Sequence, residues 1–151
     1  MFEHPSEIIG KRLDPFPVIA ERGQLKFFAQ VLGETNPVYF NLEAAKAAGY
    51  PDLLIPPTFY FSLELQRTDS HELINKLGFD RRQFLHGEEH FMYHALAFAG
   101  EELTLTTEYT DYYVKKDGAL KFVNRRTFVT RGDELVAEMD NVLAVRELEL
   151  T

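Results

Sequence analysis

Cysteine is absent from the 151 residues, which removes disulfides, thiolate nucleophiles and sulfur-ligated metal sites together and fits a reducing compartment. No run approaches the roughly 20 apolar residues of a membrane span. The opening "MFEHPSEIIGKRLDP" has neither the basic start nor the apolar stretch of a secretory signal. These absences point to the cytoplasm and away from a membrane. Positive charge is also scarce: 16 Lys and Arg against 24 Asp and Glu leave a net charge of -8. Binding nucleic acid requires clustered cations to neutralise phosphates, so that class is excluded. A phosphate-rich ligand would have to meet a local basic patch, for which Lys115, Lys116, Lys121, Arg125 and Arg126 are the candidates. With no repeat of fixed period, no low-complexity tract and no Ser/Gly linker, residues 1–151 read as a single domain. Its 45% apolar content is enough for a buried core.

The first half reads as helical. In "RGQLKFFAQVL", Leu25, Phe28, Ala29 and Leu32 recur at helical spacing, and Gly33 follows as a stop. Asn41 offers an N-cap for a short helix that ends at Gly49. In "YPDLLIPPTFYFSLELQ", Pro56 and Pro57 force an extended approach. Thr58 then caps an apolar helix through Phe59, Phe61, Leu63 and Leu65, too greasy for a surface position. The second half turns to strands, in "QFLHGEEHFMYHALAF", "ELTLTTEYTDYYVKKDG", "ALKFVNRRTFVTRGD" and "ELVAEMDNVLAVREL", with hairpin turns at Asp117-Gly118 and Gly132-Asp133. Leu103, Leu105, Thr107 and Tyr109 alternate, as do Leu135, Ala137 and Met139, so each strand has one buried face. The expected architecture is an α+β hot-dog fold, an antiparallel sheet of at least four strands wrapped around a central apolar helix. A lone sheet of this size leaves edges and an apolar flank exposed, so a dimer is expected, either with a second copy or with a second hot-dog subunit.

The whole chain resembles the MaoC-like dehydratase group of hot-dog proteins, in particular its N-terminal type of domain. The resemblance lies in "FFAQVLGETNPVYFNLEAAKAAGYPDLLIPPTF", in "HGEEHFMYHALAFAGEEL" and in the closing "TRGDELVAEMDNVLAVRE". It implies a pocket for an acyl thioester of coenzyme A or acyl carrier protein. It also implies reversible addition of water across a 2-enoyl bond to give a 3R-hydroxyacyl product, with no cofactor.

Catalytic members carry a loop Gly-Asp-x-Asn-Pro-hydrophobic-His. Here the stretch is "GETNPVY", so the Asp position falls on Glu34 and the His position on Tyr39, with Asn36 retained. Hydration needs a carboxylate and an imidazole gripping one water. A glutamate displaces the carboxylate by more than an ångström, enough to cost about a hundredfold in rate. A phenol with an ordinary pKa near 10 donates a hydrogen bond but does not shuttle protons at neutral pH. Bland readings stand beside these: Asn36-Pro37 as an ordinary turn, Glu34 as a solvated helix-end residue, Tyr39 packed beside Phe40. By the same resemblance the thioester oxygen would lie at the start of the central helix, at Pro57, Thr58 and Phe59, with the Thr58 and Phe59 amides as donors.

His86, His90 and His94 fall at even spacing on one strand. About 13 Å separates successive members, so they cannot share one ion, and Gly87 can mark a bulge that resets the alternation. No metal site is expected; the family's similar "HGEQ" segment suggests His86 hydrogen-bonded near the interface and the substrate. Three functions follow: a weakly catalytic or non-catalytic subunit serving an intact partner, an active hydratase using Glu34 with Tyr39, His86 or another chain's residue, or a hot-dog thioesterase using Glu64. The bland reading of Glu64 is a carboxylate facing solvent at the helix's far end.

Overall fold

A computed structural model describes residues 1–148. Helix α1 runs Arg22–Val31 and buries Leu25 and Ala29. It stops where foreseen, because Gly33 takes a left-handed φ of 69° that carries no side-chain penalty in glycine. Helix α2, Leu42–Ala47, begins with Asn41 Oδ1 accepting from the Ala44 amide at 2.9 Å. It ends just before Gly49, whose φ is 88°.

Helix α3, Phe59–Glu64, is the central helix, and it is shorter than "PPTFYFSLELQ" suggests. Its buried residues are Phe59, Tyr60, Leu63 and Glu64, the spacing of one face of a 3.6-residue period. Phe61 lies at the flank and Leu65 ends the helix 56% exposed. The expected row Phe59, Phe61, Leu63, Leu65 has a spacing of two, which no single helical face can bury. A short helix α4, Glu72–Asn75, follows.

Five antiparallel strands form one sheet in the order β1-β3-β4-β5-β2. They are β1 Phe16–Ile19, β2 Phe84–Tyr93, β3 Glu102–Lys115, β4 Leu120–Arg131 and β5 Glu134–Arg146. The four foreseen strands are present and the hairpins turn where expected. Strand β1 went unforeseen because Pro15 and Pro17 bracket Phe16. Proline is tolerated there because β1 pairs only with β3 and forms one edge of the sheet.

A large apolar cluster joins Leu25 of α1, Phe59 and Leu63 of α3, Leu103 and Leu105 of β3, Val129 of β4 and Met139 of β5. A smaller one gathers Ile8, Leu13, Ile74, Leu77, Tyr109 and Val123. Full burial of each large aliphatic side chain stabilises the fold by roughly 1.5–3 kcal/mol, so the larger cluster fixes α3 against the sheet. The fold is the hot-dog fold.

Candidate functional site

The "GETNPVY" loop is built by its own side chains. After α1, the Gly33 and Glu34 amides donate back to Gln30 O and Ala29 O, closing the helix. Glu34 Oε1 then accepts from the Thr35 and Asn36 amides at 2.8 and 2.9 Å. Asn36 Oδ1 accepts from Val38 N at 3.2 Å and caps the single turn Pro37–Tyr39. Val38 O receives the Leu54 amide at 3.1 Å, which ties the loop to the segment leading into α3. That segment is held from the other side as well, by Ile55 N to Ala97 O and Ala99 N to Leu53 O. Two strand-like contacts therefore fix where α3 begins relative to the loop.

Tyr39 is half-buried. Burial raises its pKa, and the nearby Glu34 carboxylate and Tyr50 raise it further, so the phenol stays protonated at neutral pH. Tyr93 stands beside it and donates to Pro57 O at 2.8 Å; its pKa is raised by burial and by Tyr39. The Tyr60 ring lies 6.2 Å from that of Tyr93. Glu34, Asn36, Tyr39 and Pro57 are thus gathered on one flank with Tyr60 and Tyr93, two phenols that sequence reasoning missed. An open hollow of about 320 Å³ lined by Lys26, Gln30, Glu34 and Phe40 adjoins the loop. At the start of α3, the Phe59 amide already donates to Pro56 O at 3.0 Å. Thr58 is exposed and its side chain makes no cap. Of the two amides expected to hold a thioester oxygen, Thr58's is the one without such a commitment among the described residues.

His86 lies on the other flank of α3, its ring edge-on to Phe61 at 5.0 Å. The register of β2 against β5 slips between His86 and Glu88, so a bulge at Gly87 turns His86 and Glu89 to the same face. A Cβ on Gly87 would lie 2.7 Å from Val142 O, which excludes a larger residue from this close approach. His86 Nε2 is then 3.5 Å from Glu89 Oε2 and 3.4 Å from Asn141 Nδ2. His90 instead pairs with Glu88 and His94 with Glu138. The three histidines do not share a face, and no group of three metal-ligating side chains occurs among the described residues.

The largest departure from expectation is under α3. Glu64 does not face solvent: it is 1% exposed, with Oε1 accepting from Thr127 Oγ1 at 3.1 Å and lying 3.5 Å from Arg125 Nη2. Arg125 is buried too, so it cannot belong to a surface patch for phosphate. Arg126 pairs with Asp140, and Lys121 donates to Gly118 O. The cross-strand register explains the burial: Tyr109, Arg125, Asn141 and Glu89 stand opposite one another across β3, β4, β5 and β2. They form one polar row on the face that meets α3, between the two apolar clusters. Asn141 Nδ2 donates to Glu89 Oε2 at 2.7 Å.

Within that row, burial pushes the Glu89 carboxyl up to about 7, reinforced by Glu64 and opposed by the Asn141 hydrogen bond and Arg125. The folded state therefore favours the neutral acid. Its contribution is full below the ordinary carboxyl value near 4.3 and is lost as pH rises through 7, a swing of about 3 kcal/mol. Thermal unfolding of the wild type should weaken from about pH 5 to 8.5, while Glu89→Gln, which still accepts from Asn141, should show a flatter profile and exceed the wild type at the alkaline end. Parallel pH profiles would contradict this.

The five-stranded antiparallel sheet and the short buried helix packed on it define the fold class. The family model described as "FAS1-like, dehydratase domain region" matches residues 7–139, and the chain belongs to that family. It is 34% identical to a UPF0336 protein of Leifsonia xyli subsp. xyli, over 86% of this chain and 87% of that one. Its match to a UPF0336 protein of Streptomyces avermitilis spans 61% of that protein's length. Among solved structures it is similar to the C-terminally truncated HadBC (3R-hydroxyacyl-ACP dehydratase) complex of Mycobacterium tuberculosis, with TM-score 0.75, 25% identity, and coverage of 93% of this chain and 99% of that one. The ChsH1-ChsH2 complex of the same organism gives TM-score 0.74 and 23% identity, over 93% of this chain and 86% of that one.

Proposed function

We propose that this chain is a weakly catalytic or non-catalytic subunit of a MaoC-like (R)-3-hydroxyacyl-thioester dehydratase, or enoyl-CoA hydratase, of the cytoplasm. It pairs with a second hot-dog subunit that carries the intact Asp and His. The observation that carries the reading is the state of the loop. It keeps the turn made by Asn36 and Pro37, but one oxygen of Glu34 is occupied by two backbone amides. The group at the imidazole position is a phenol whose pKa is raised above its ordinary value. Such a pair can orient a polar group but cannot pass a proton to and from one water at neutral pH. The substrate class, an acyl thioester on coenzyme A or acyl carrier protein, follows from the family resemblance. The related complexes, two-component by their names, support a partner subunit.

In this reading Pro57, Thr58 and Phe59 line the thioester end of the pocket, with the Thr58 amide as the available donor, and His86 borders the substrate and partner side. The thioesterase alternative is weakened because Glu64 is sealed beneath α3 and engaged by Thr127 and Arg125. The loop itself provides the test. The wild type alone should hydrate crotonyl-CoA poorly. The double change Glu34→Asp with Tyr39→His should raise that rate by about tenfold or more, while each single change does little, because two groups gripping one water act non-additively. Robust hydration by the wild type, unaffected by Glu34→Gln, would place the chemistry elsewhere.

A further inference from the structure

The hollow of about 320 Å³ beside the loop carries three different polar groups in order. Lys26 and Gln30 stand one turn apart on the same face of α1, about 6 Å along its axis, and Glu34 follows just past the helix end. Cation, amide and carboxylate therefore succeed one another toward the loop. Glu34 commits Oε1 to the Thr35 and Asn36 amides, while its Oε2 makes no hydrogen bond among the described residues. Phe40 forms an apolar wall, and Phe27 and Val31, 69% and 66% exposed on the adjoining stripe of α1, extend the apolar surface.

Lys26 is also a cation available to an anion at this place, since it makes no ion pair among the described residues. Arg22, one turn earlier, is held by Asp52 at 2.7 Å. Of the basic residues expected to meet phosphate, Arg125 is buried, Arg126 pairs with Asp140 and Lys121 donates to Gly118 O. Lys115 and Lys116 lie at the turn between β3 and β4. That turn is ten residues along β3 from Leu105, or about 33 Å of strand, and Leu105 is the residue that packs with Leu25 of α1.

We infer that this hollow holds the phosphopantetheine arm of an acyl carrier, with the phosphate at Lys26 and the thioester end at Glu34. The inference rests on the acyl-thioester reading above and names the residues that take the carrier's arm. The arm is a flexible chain with two amides, a carbon bearing two methyl groups and, at the end away from sulfur, a phosphate. Each part has a counterpart here. The Gln30 side chain both donates to and accepts from an amide, Glu34 Oε2 accepts an amide N–H, Phe40 covers the methyl groups, and Lys26 meets the phosphate. The same arm occurs in coenzyme A and on acyl carrier protein, so its recognition is common to both sources.

The test titrates the full chain with pantetheine and with 4′-phosphopantetheine at low ionic strength, followed by NMR. For a chain of net charge -8, a phosphate with no local cation weakens binding, so the sign of its effect is diagnostic. Phosphopantetheine should bind about threefold more tightly than pantetheine or better, shift amides of α1 and of residues 33–40, and lose its advantage as salt is raised. Lys26→Gln should erase that advantage and Lys26→Glu reverse it, with pantetheine itself unaffected, whereas Gln30→Leu should weaken both compounds alike. Coenzyme A and a holo acyl carrier protein, each titrated against wild type and Lys26→Glu, identify the source: the one whose affinity falls uses the hollow. Phosphopantetheine no tighter than pantetheine, shifts confined to other segments, or a Lys26→Glu variant that binds both compounds as the wild type does would overturn the proposal. Coenzyme A that binds with no dependence on Lys26 would likewise overturn it and leave the dehydratase reading standing. Absence of hydration in any mixture, with phosphopantetheine still bound at Lys26, would sink that reading and leave this site.

Discussion

Arg125→Met should lower the free energy of unfolding by about 3–5 kcal/mol, among the largest losses from any single change in the chain. The guanidinium is the cation of the buried row and lies beside two carboxylates, Glu64 and Glu89. Arg67, the neighbouring buried cation, cannot replace it, because its Nε and Nη2 are held by Asp69 and by Asp14 O. Without Arg125, Glu64 keeps only the hydroxyls of Thr107 and Thr127 as partners and loses its paired cation in a region nearly closed to water. Adding Glu64→Leu should recover much of the loss, since removing both members of a buried pair leaves no stranded charge. Urea unfolding of the wild type, both single variants and the double variant completes the cycle. A loss below about 1 kcal/mol for Arg125→Met, or strict additivity in the double variant, would mean that Arg125 and Glu64 are not coupled.

That buried row also marks the limit of what the sequence made legible. Strand-like runs identified β2 to β5, with alternation in β3 and β5, and Gly33, Gly49, Asp117-Gly118 and Gly132-Asp133 marked the helix ends and turns, because those signals are local. Strand β1 was hidden because prolines ordinarily argue against a strand, and only its edge position makes Pro17 harmless. Helix α3 was recognised as buried, but its face was misassigned: in "FYFSLE" the large apolar residues Phe59, Tyr60, Phe61 and Leu63 fall on every side of a six-residue helix, so periodicity could not show that Tyr60 and Glu64 point inward. Glu64 and Arg125 are 61 positions apart in sequence, and charged side chains are mostly exposed. Their meeting follows from strand register, which no local pattern specifies. His86 and Glu89 share a face only because of the bulge at Gly87, and the sequence offered that bulge as an option without fixing it. In the loop, the substituted positions could be read directly from "GETNPVY". The folding of the Glu34 carboxylate onto the Thr35 and Asn36 amides could not.

A second large effect concerns activity. If the loop retains a dehydratase's shape without its proton-transfer pair, hydration should depend on a partner chain that has the pair. General acid–base groups of this kind contribute about 10²–10⁴-fold in rate, so complementation should fall in that range and not as a slight enhancement. The direct measurement is the rate of loss of the enoyl-thioester absorbance of crotonyl-CoA and a longer enoyl-CoA. It would be followed for this chain alone, for a candidate partner hot-dog protein carrying Gly-Asp-x-Asn-Pro-x-His, and for the two mixed. The predicted result is background hydration by this chain alone and at least about a hundredfold more in the mixture, abolished when the partner's loop histidine is replaced. Rapid hydration by this chain alone, or a mixture no faster than the sum of its parts, would contradict a subunit that shapes the site while its partner performs the chemistry.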